Sequence, residues 1–440
     1  MSKTARTLLK VLVDQRRWRY KDFERAFRRA AAQVLDEEAR NLTVSEAQFR
    51  RWTAGKVQTL PGPEACAVLE HMFGVDAAKL FDAPPSAAPE PAFNLEGEIA
   101  MTARDAQNEA AEAAAASISD TTLDQLRDDV AMLARTYSTT APFDVFKRAR
   151  ELREEAEAAR GRTQVPVQAQ ELLIVAGQAC ALLATAAFDL GSLDGAKRLC
   201  RSAALYGETA RFEPLRAFAA GTLAYIAYFS NQPAEAARLA RQAQTFTGLG
   251  DVARRRLAAI EARAFGYLGD AVSAQRALDA SQADGHGATD DLHDGVAGEF
   301  GFTAERLAMS NSSTCLLLGD GDQAEAAAVR ALELAAERPA AVRSVRVVGG
   351  AAADLAAARL LRGDLDGAAD ALERVWAVPR DQRATGLLTR TARVRRALTA
   401  EPFRGAVLAG GLGERIEDFT RMSTLYQLGT GGGPIALLEG

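Results

Sequence analysis

The sequence is poor in the residues from which catalytic and metal centres are built. Three histidines and four cysteines serve 440 residues. Cys66, Cys180, Cys200 and Cys315 stand far apart among apolar neighbours, with no CxxC or Cys/His spacing, so they read as structural thiols of a reducing compartment. Aromatic residues make up only 6%, so the 48% apolar content is carried mainly by alanine and leucine, which favours packed helices over sheets. No apolar run approaches the ~20 residues of a membrane span, and MSKTARTLLK has neither a long apolar core nor a cleavage site, so a cytoplasmic protein without membrane contact is expected. Phosphate-binding, dinucleotide-binding, zinc-protease and serine-hydrolase motifs are all missing. The glycines of GLGERI (411–416) and GTGGGP (429–434) follow no strand and read as turns. His286 and His293, seven apart beside Asp284, Asp290, Asp291 and Asp294, could hold a divalent ion, but such a loop is more often solvated. His71, beside Leu69, Met72 and Phe73, reads as a satisfied structural histidine. Neither an enzyme, a metal site nor a cofactor is expected.

What is present is a stretch of specific local design, TVSEAQFRRWTAGK, from Thr43 to Lys56. Ser45 is an N-cap and Gln48 its reciprocal partner, which makes a capping box, and Val44 with Phe49 makes a hydrophobic staple. Phe49 and Trp52 share the inner face, Ala47, Arg50, Arg51 and Ala54 the outer one, and Gly55 ends the helix. Glu46 and Arg50 form an i, i+4 pair. A short anchored helix with small and basic residues outward suits a DNA major groove, although a plain amphipathic surface helix has the same pattern. Charge placement favours the former reading. Residues 1–56 hold fourteen Lys and Arg against seven Asp and Glu, whereas the whole chain carries −5. A basic head on an acidic body is an electrostatic footprint for nucleic acid.

The spacing predicts helices over Thr4–Val13 and Tyr20–Ala39, the latter with the stripe Phe23, Ala26, Phe27, Ala30, Val34. The capped helix, Ser45–Ala54, follows, then a helix opened by Pro63 and stopped by Gly74, and a short one capped by Asp76 with Val75 and Leu80 as a staple. The run VSEAQFRRWTAGK, a proline-containing loop and VLEHMFGVDAAKLF together resemble the lambda-repressor-like (XRE-type) helix-turn-helix pattern. Within it the chain is most similar to actinobacterial regulators that join such a domain to tetratricopeptide-type repeats. The resemblance implies a transcriptional regulator of development or secondary metabolism that binds a double-stranded operator as a homodimer. It also implies DNA contacts from Ser45, Glu46, Ala47, Gln48, Arg50 and Arg51, with Lys56, Arg19, Tyr20 and Lys21 on phosphates. The chain departs from the pattern in a longer link between the second and third helices, read as helix continuing through LDEEARN, and in Thr53 where glutamate is common.

DAPPSAAPEPAFNLEGE reads as a semi-rigid linker, and 101–117 as an alanine-rich helix with little to bury. Leu123, Leu126, Val130, Leu133 and Tyr137, then Phe143, Val145, Phe146 and Leu152, mark two helices that either lead into an array or make a dimer contact. A turn followed five residues on by alanine recurs at Gly191/Ala196, Asn231/Ala236, Gly269/Ala274, Gly319/Ala324 and Gly363/Ala368, with spacings of 40, 38, 50 and 44 residues. Each turn joins two amphipathic helices, as in the tetratricopeptide unit of ~34 residues. ASQADGHGATDDLHDG in the widest interval is expected to be a loop. Stacked units bury their faces together and line a concave side with their first helices. Tyr225, Tyr228, Phe229, Arg306, Ser310 and Asn311 are candidates there for a small-molecule or peptide effector, or simply for packing; the run SNSS is the least explained by packing. The expected organisation is all-α: a helix-turn-helix domain over 1–83, a proline-rich linker over 84–100, a tetratricopeptide-like superhelix over 101–400, and a short helix (Leu412–Met422) with a flexible tail over 401–440. A protein-interaction adaptor whose N-terminal domain is a docking module is the alternative function.

Overall fold

The computed structural model describes residues 7–36, 39, 41–84, 95–115 and 117–423, and among them all regular structure is helical. The chain divides into two compact units, Met1–Ala106 and Gln107–Gly440.

In the first unit, α1 (Leu8–Gln15) is capped by Thr7, whose buried hydroxyl also reaches the Trp52 and Thr53 carbonyls. A left-handed residue, Arg17, turns the chain into α2 (Tyr20–Val34). Then come α3 (Glu46–Thr53), α4 (Pro63–Phe73) and α5 (Ala77–Phe81). Their apolar stripes meet in one core of Leu9, Val13, Phe23, Phe27, Val44, Trp52, Val68, Leu69, Phe73 and Leu80. Helix α2 stops at Val34 rather than running through LDEEARN, because Leu35 is extended and carries the chain toward Val44. The described residues between Leu35 and Ser45 are not helical. His71 is exposed, with its ring 3.3 Å from the Gln33 side chain. The stretch 85–94 of the expected linker lies outside the described residues, and α6 (Leu95–Ala115) already begins inside the rest of it.

The second unit opens with α7 (Asp120–Thr136) and α8 (Pro142–Arg160). Leu123, Leu126, Val130, Leu133, Tyr137, Val145 and Leu152 are buried in a core shared with the following helix, while Phe143 is exposed. Five helix pairs follow: α9 (Pro166–Asp189) with α10 (Leu193–Thr209), α11 (Glu213–Phe229) with α12 (Pro233–Ala243), α13 (Asp251–Leu268) with α14 (Ala271–Gln282), α15 (Ala304–Leu317) with α16 (Gly321–Glu337), and α17 (Val345–Leu361) with α18 (Leu365–Trp376). Each turn has the geometry expected. Gly191, Asn231, Gly269, Gly319 and Gly363 all have positive φ, which glycine adopts without strain and asparagine at small cost. Ala196, Ala236, Ala274, Ala324 and Ala368 are 0% exposed, so no larger side chain fits where the second helix crosses the first. In three pairs the next residue, Asp270, Asp320 or Asp364, caps the second helix through its side chain. Helices α19 (Thr385–Thr399) and α20 (Val407–Arg421) complete the unit, α20 starting five residues before the expected Leu412; the tail beyond Ser423 lies outside the described residues.

Helix α9 corrects the reading that no apolar run has spanning length. It is 24 residues long, and its most apolar 18-residue window has a mean hydropathy of 1.8 and is 78% buried inside the fold, as befits a core helix. The insertion after α14 is irregular and its first part, Gln282–Thr289, is exposed, but Asp290, Leu292, His293 and, beyond it, Phe300 are buried, and the chain makes a single wide turn over Asp291–Val296.

The two ends of this unit meet. Asp189, at the end of α9, accepts a hydrogen bond from the Tyr137 hydroxyl (2.8 Å) and one from Arg346 on α17 (2.6 Å). Arg346 also donates to the Tyr137 and Thr140 carbonyls and stacks 4.4 Å over the Tyr137 ring. Thr385 of α19 donates to the Asp189 carbonyl and Gln382 to that of Thr139. Burial raises the Asp189 carboxyl pKa in spite of Arg346, and raises that of the Tyr137 hydroxyl. Removing one partner of such a buried pair is expected to be costly and removing both far less so. Asp189→Ala should lower stability in urea unfolding by about 3–5 kcal/mol, whereas Asp189→Leu with Arg346→Met should recover most of that loss.

Candidate nucleic-acid interface and interior cavity

The entry to α3 is built as its residues dictate. The Ser45 hydroxyl accepts from the Gln48 amide (3.2 Å), and the Gln48 side-chain oxygen accepts from the Ser45 amide (2.9 Å) and hydroxyl (3.0 Å). Phe49 packs against Phe23 with ring centroids 4.8 Å apart, and Trp52 against Phe27 at 6.3 Å. This fixes α3 on α2 through aromatic contacts and leaves Glu46, Ala47, Arg50 and Arg51 exposed. Arg50 is paired with Glu46, both largely solvated. Gly55, at φ +67°, releases the chain, and Lys56 is exposed just beyond it.

The ten residues assigned to this surface therefore divide. Ala47, Arg51 and Lys56 are free to meet a ligand, and Arg50 with Glu46 can do so by opening a surface ion pair worth about 0–1 kcal/mol. Ser45 and Gln48 spend their side chains on each other. Tyr20 donates its hydroxyl to the Val44 carbonyl (3.0 Å) and rests on Phe49, so it holds the entry to α3 in place. Arg19 caps α2, with its amide bonded to Asp22, and its side chain is exposed, as is that of Lys21. Arg16, in the same basic connection, stacks on Phe73 and Trp18 and serves the core.

In the second unit the first helices of the pairs, together with α19 and the insertion, surround a cavity of about 620 Å³. Tyr225, Tyr228, Arg306 and Ser310 line it, as expected from the sequence. Asn311 does not: it is buried behind the wall with its amide oxygen unbonded, and Phe229 packs edge-on against Phe188. The rest of SNSS serves the scaffold, Ser312 donating to the Ala324 carbonyl (2.8 Å) and Ser313 to Asp354 (2.5 Å). The insertion closes one side. Asp290 accepts from the amides of Gly250, Leu292 and His293 and touches the His293 ring, and Glu299 donates its amide to Ala134 of α7 (2.8 Å). His286 is exposed and His293 buried, so the two do not converge, and no cluster of three His, Cys, Asp or Glu side chains occurs among the described residues. Burial pushes the thiol pKa of Cys180 and Cys315 up to about 11 and that of Cys200 to about 12, as for structural thiols.

The sequence reading missed the dominant feature of the cavity, its arginines. Seven line it against four carboxylates. Arg306 pairs with Glu299, Arg338 with Glu305, Arg346 with Asp189 and Arg390 with Asp354. Arg256 and Arg263 of α13 are also buried, at 7% and 4% exposure. The signal available was DVARRRLAAIEARAFGYL, where two arginines seven apart fall on the alanine-rich face of a helix. No protein-family model matches the chain, and no curated protein matches it at a significant level.

The division of labour on α3 has a direct test. Ser45→Ala should cost about 0.5–2 kcal/mol in thermal or urea unfolding, and Ser45→Gly only a few tenths, because glycine adopts the extended cap without its side chain.

Proposed function

We propose that the chain is a sequence-specific DNA-binding regulator in which α3 reads a major groove and the array carries the effector or partner function. The observation that carries the reading is the exposed Ala47, Arg50 and Arg51 face on a helix anchored by a capping box and two inward aromatics, within a strongly basic segment. An arginine on such a face can bond guanine O6 and N7, contributing ~1–3 kcal/mol of discrimination. Arg19, Lys21 and Lys56 would supply salt-dependent phosphate contacts without sequence preference. Two copies bound to a partly palindromic operator would place their α3 helices about one helical turn apart. The sequence resemblance to regulators with tetratricopeptide-type arrays supports the same division, and the repeated turns of the second unit accord with it. No catalytic role enters this reading.

The test uses duplexes selected by the full-length protein from a random library. Arg50→Ala with Arg51→Ala should abolish the gel shift on the selected sequence while leaving the helical circular dichroism unchanged. A double variant that still binds the selected duplex over a scrambled one contradicts the assignment. A protein that selects no duplex but retains a protein partner points instead to the adaptor.

A further inference from the structure

Arg256 and Arg263 share one wall of the cavity, and neither has a carboxylate within ion-pairing distance among the described residues. Arg256 donates to the Thr222 hydroxyl (2.9 Å) and the Phe218 carbonyl (3.4 Å) and lies 4.2 Å over the Phe218 ring. Arg263 donates to the Tyr228 hydroxyl (3.3 Å) and to the Ser310 hydroxyl (3.1 Å) and carbonyl (3.3 Å). Its Nε is buried with no partner at all. These are neutral acceptors only. A guanidinium keeps its proton at any ordinary pH, so its burial without a counter-charge is costly unless something else supplies the negative charge. Of the other lining arginines, Arg306, Arg338, Arg346 and Arg390 each have a carboxylate, and Arg135 is exposed and donates to the Val296 carbonyl (3.2 Å).

We propose that this cavity binds a small organic anion, its carboxylate or phosphate group held by Arg256 and Arg263 and its apolar body lying against Phe188, Tyr225, Ile260 and Leu387. The proposal rests on the reading of the array as the effector-binding part and gives that effector a chemical class. The volume of about 620 Å³ lies in the range of ligand sites, roughly 300–1,000 Å³. The wall supplies what such sites have, an apolar and aromatic surface with a few fixed polar groups. Guanidinium forks are suited to planar oxyanions, which they bind through paired N–H donors. Burial, with the like charge of Arg306 added, pulls the Arg256 pKa down to about 10, whereas at Arg263 burial is outweighed by the facing Tyr228, Tyr225 and Tyr267 and by Asp354, and its pKa is raised.

The experiment is calorimetric titration of the full chain, without DNA, with three probes that share one aromatic body: 1-naphthoate, 1-naphthyl phosphate and the neutral 1-naphthamide. At least one anion should bind at one site per chain and at least tenfold more tightly than the amide. The tighter anion identifies the headgroup as carboxylate or phosphate. Arg263→Gln and Arg256→Gln should each reduce that anion's affinity at least tenfold and leave the amide unchanged. Should those variants fail to fold, thermal unfolding of the native chain gives the second reading: the anion should raise the midpoint and the amide, at the same concentration, should not. The proposal is overturned if neither anion binds more tightly than the amide, if both folded variants keep the anion affinity, or if the anion raises the unfolding midpoint of the native chain no more than the amide does. Failure here leaves the DNA reading intact, since that is judged by gel shift alone, and loss of DNA binding leaves these titrations unaffected.

Discussion

The second unit depends on a closure that a linear stack of helix pairs does not require. Asp189 brings together groups from opposite ends of the array: Tyr137 from the segment after α7, Arg346 from α17 and Thr385 from α19. Bringing Arg346 to Asp189 and to Tyr137 joins residues 157 and 209 positions apart, so the contact is made at the cost of ordering everything between them. A buried ion pair of this kind adds little net stability over an apolar contact of the same size. What it contributes is selectivity, because Asp189, Tyr137, Arg346 and Thr385 meet only when α7, α9, α17 and α19 are brought together in this arrangement. Once the ends are fixed, the inward faces of the first helices enclose a shared volume and cease to be an open groove.

That enclosure explains why the interior is so polar. Side chains that would be solvated on an open array are confined here, and each must find a partner. Most do so within the array. Ser313, Arg390 and Asp354 link α15, α19 and α17, and Glu299 and Glu305 neutralise Arg306 and Arg338. The insertion between α14 and α15 contributes to the same wall. Its Gly298, at φ +62°, lies so close to α7 that a Cβ would fall 2.4 Å from the Ala134 carbonyl oxygen, so a glycine is required there on both counts.

Much of this was legible in the sequence, for physical reasons that are local. Positive-φ turns demand glycine or asparagine, and tight helix crossings demand alanine, so the five hairpins could be located by residue type and spacing alone. The capping box at Ser45 and Gln48 and the stop at Gly74 were legible for the same reason. The cavity was not, because its arginines are brought together by long-range closure and look in sequence like the solvated charges of amphipathic helices. Nor was the burial of the later part of the insertion; Gln282–Thr289 is exposed as its composition suggests, but Asp290 and Asp251 bond backbone amides across the insertion, and Leu292 and Phe300 lie inward. The end of α2 was overestimated because LDEEARN has good helix formers, and what overrides them is the pull of buried Val44 and the Tyr20 to Val44 hydrogen bond at the entry to α3.

The first unit is organised by a different constraint: Tyr20, Phe23, Phe27 and Phe81 fix Phe49 and Trp52 of α3 against α2 and α5, so the outward face of α3 is held without contributing to the core. A surface so rigidly presented, basic and small in its side chains, is the basis for assigning DNA recognition. The decisive measurement is a genome-wide footprint of the purified full-length protein on the DNA of its source, at low and at physiological salt. Base reading by α3 requires discrete protected sites sharing a partly palindromic sequence, the same at both salt concentrations and weaker at the higher. Uniform coverage that disappears at physiological salt, or no protection at either, would refute base reading by α3.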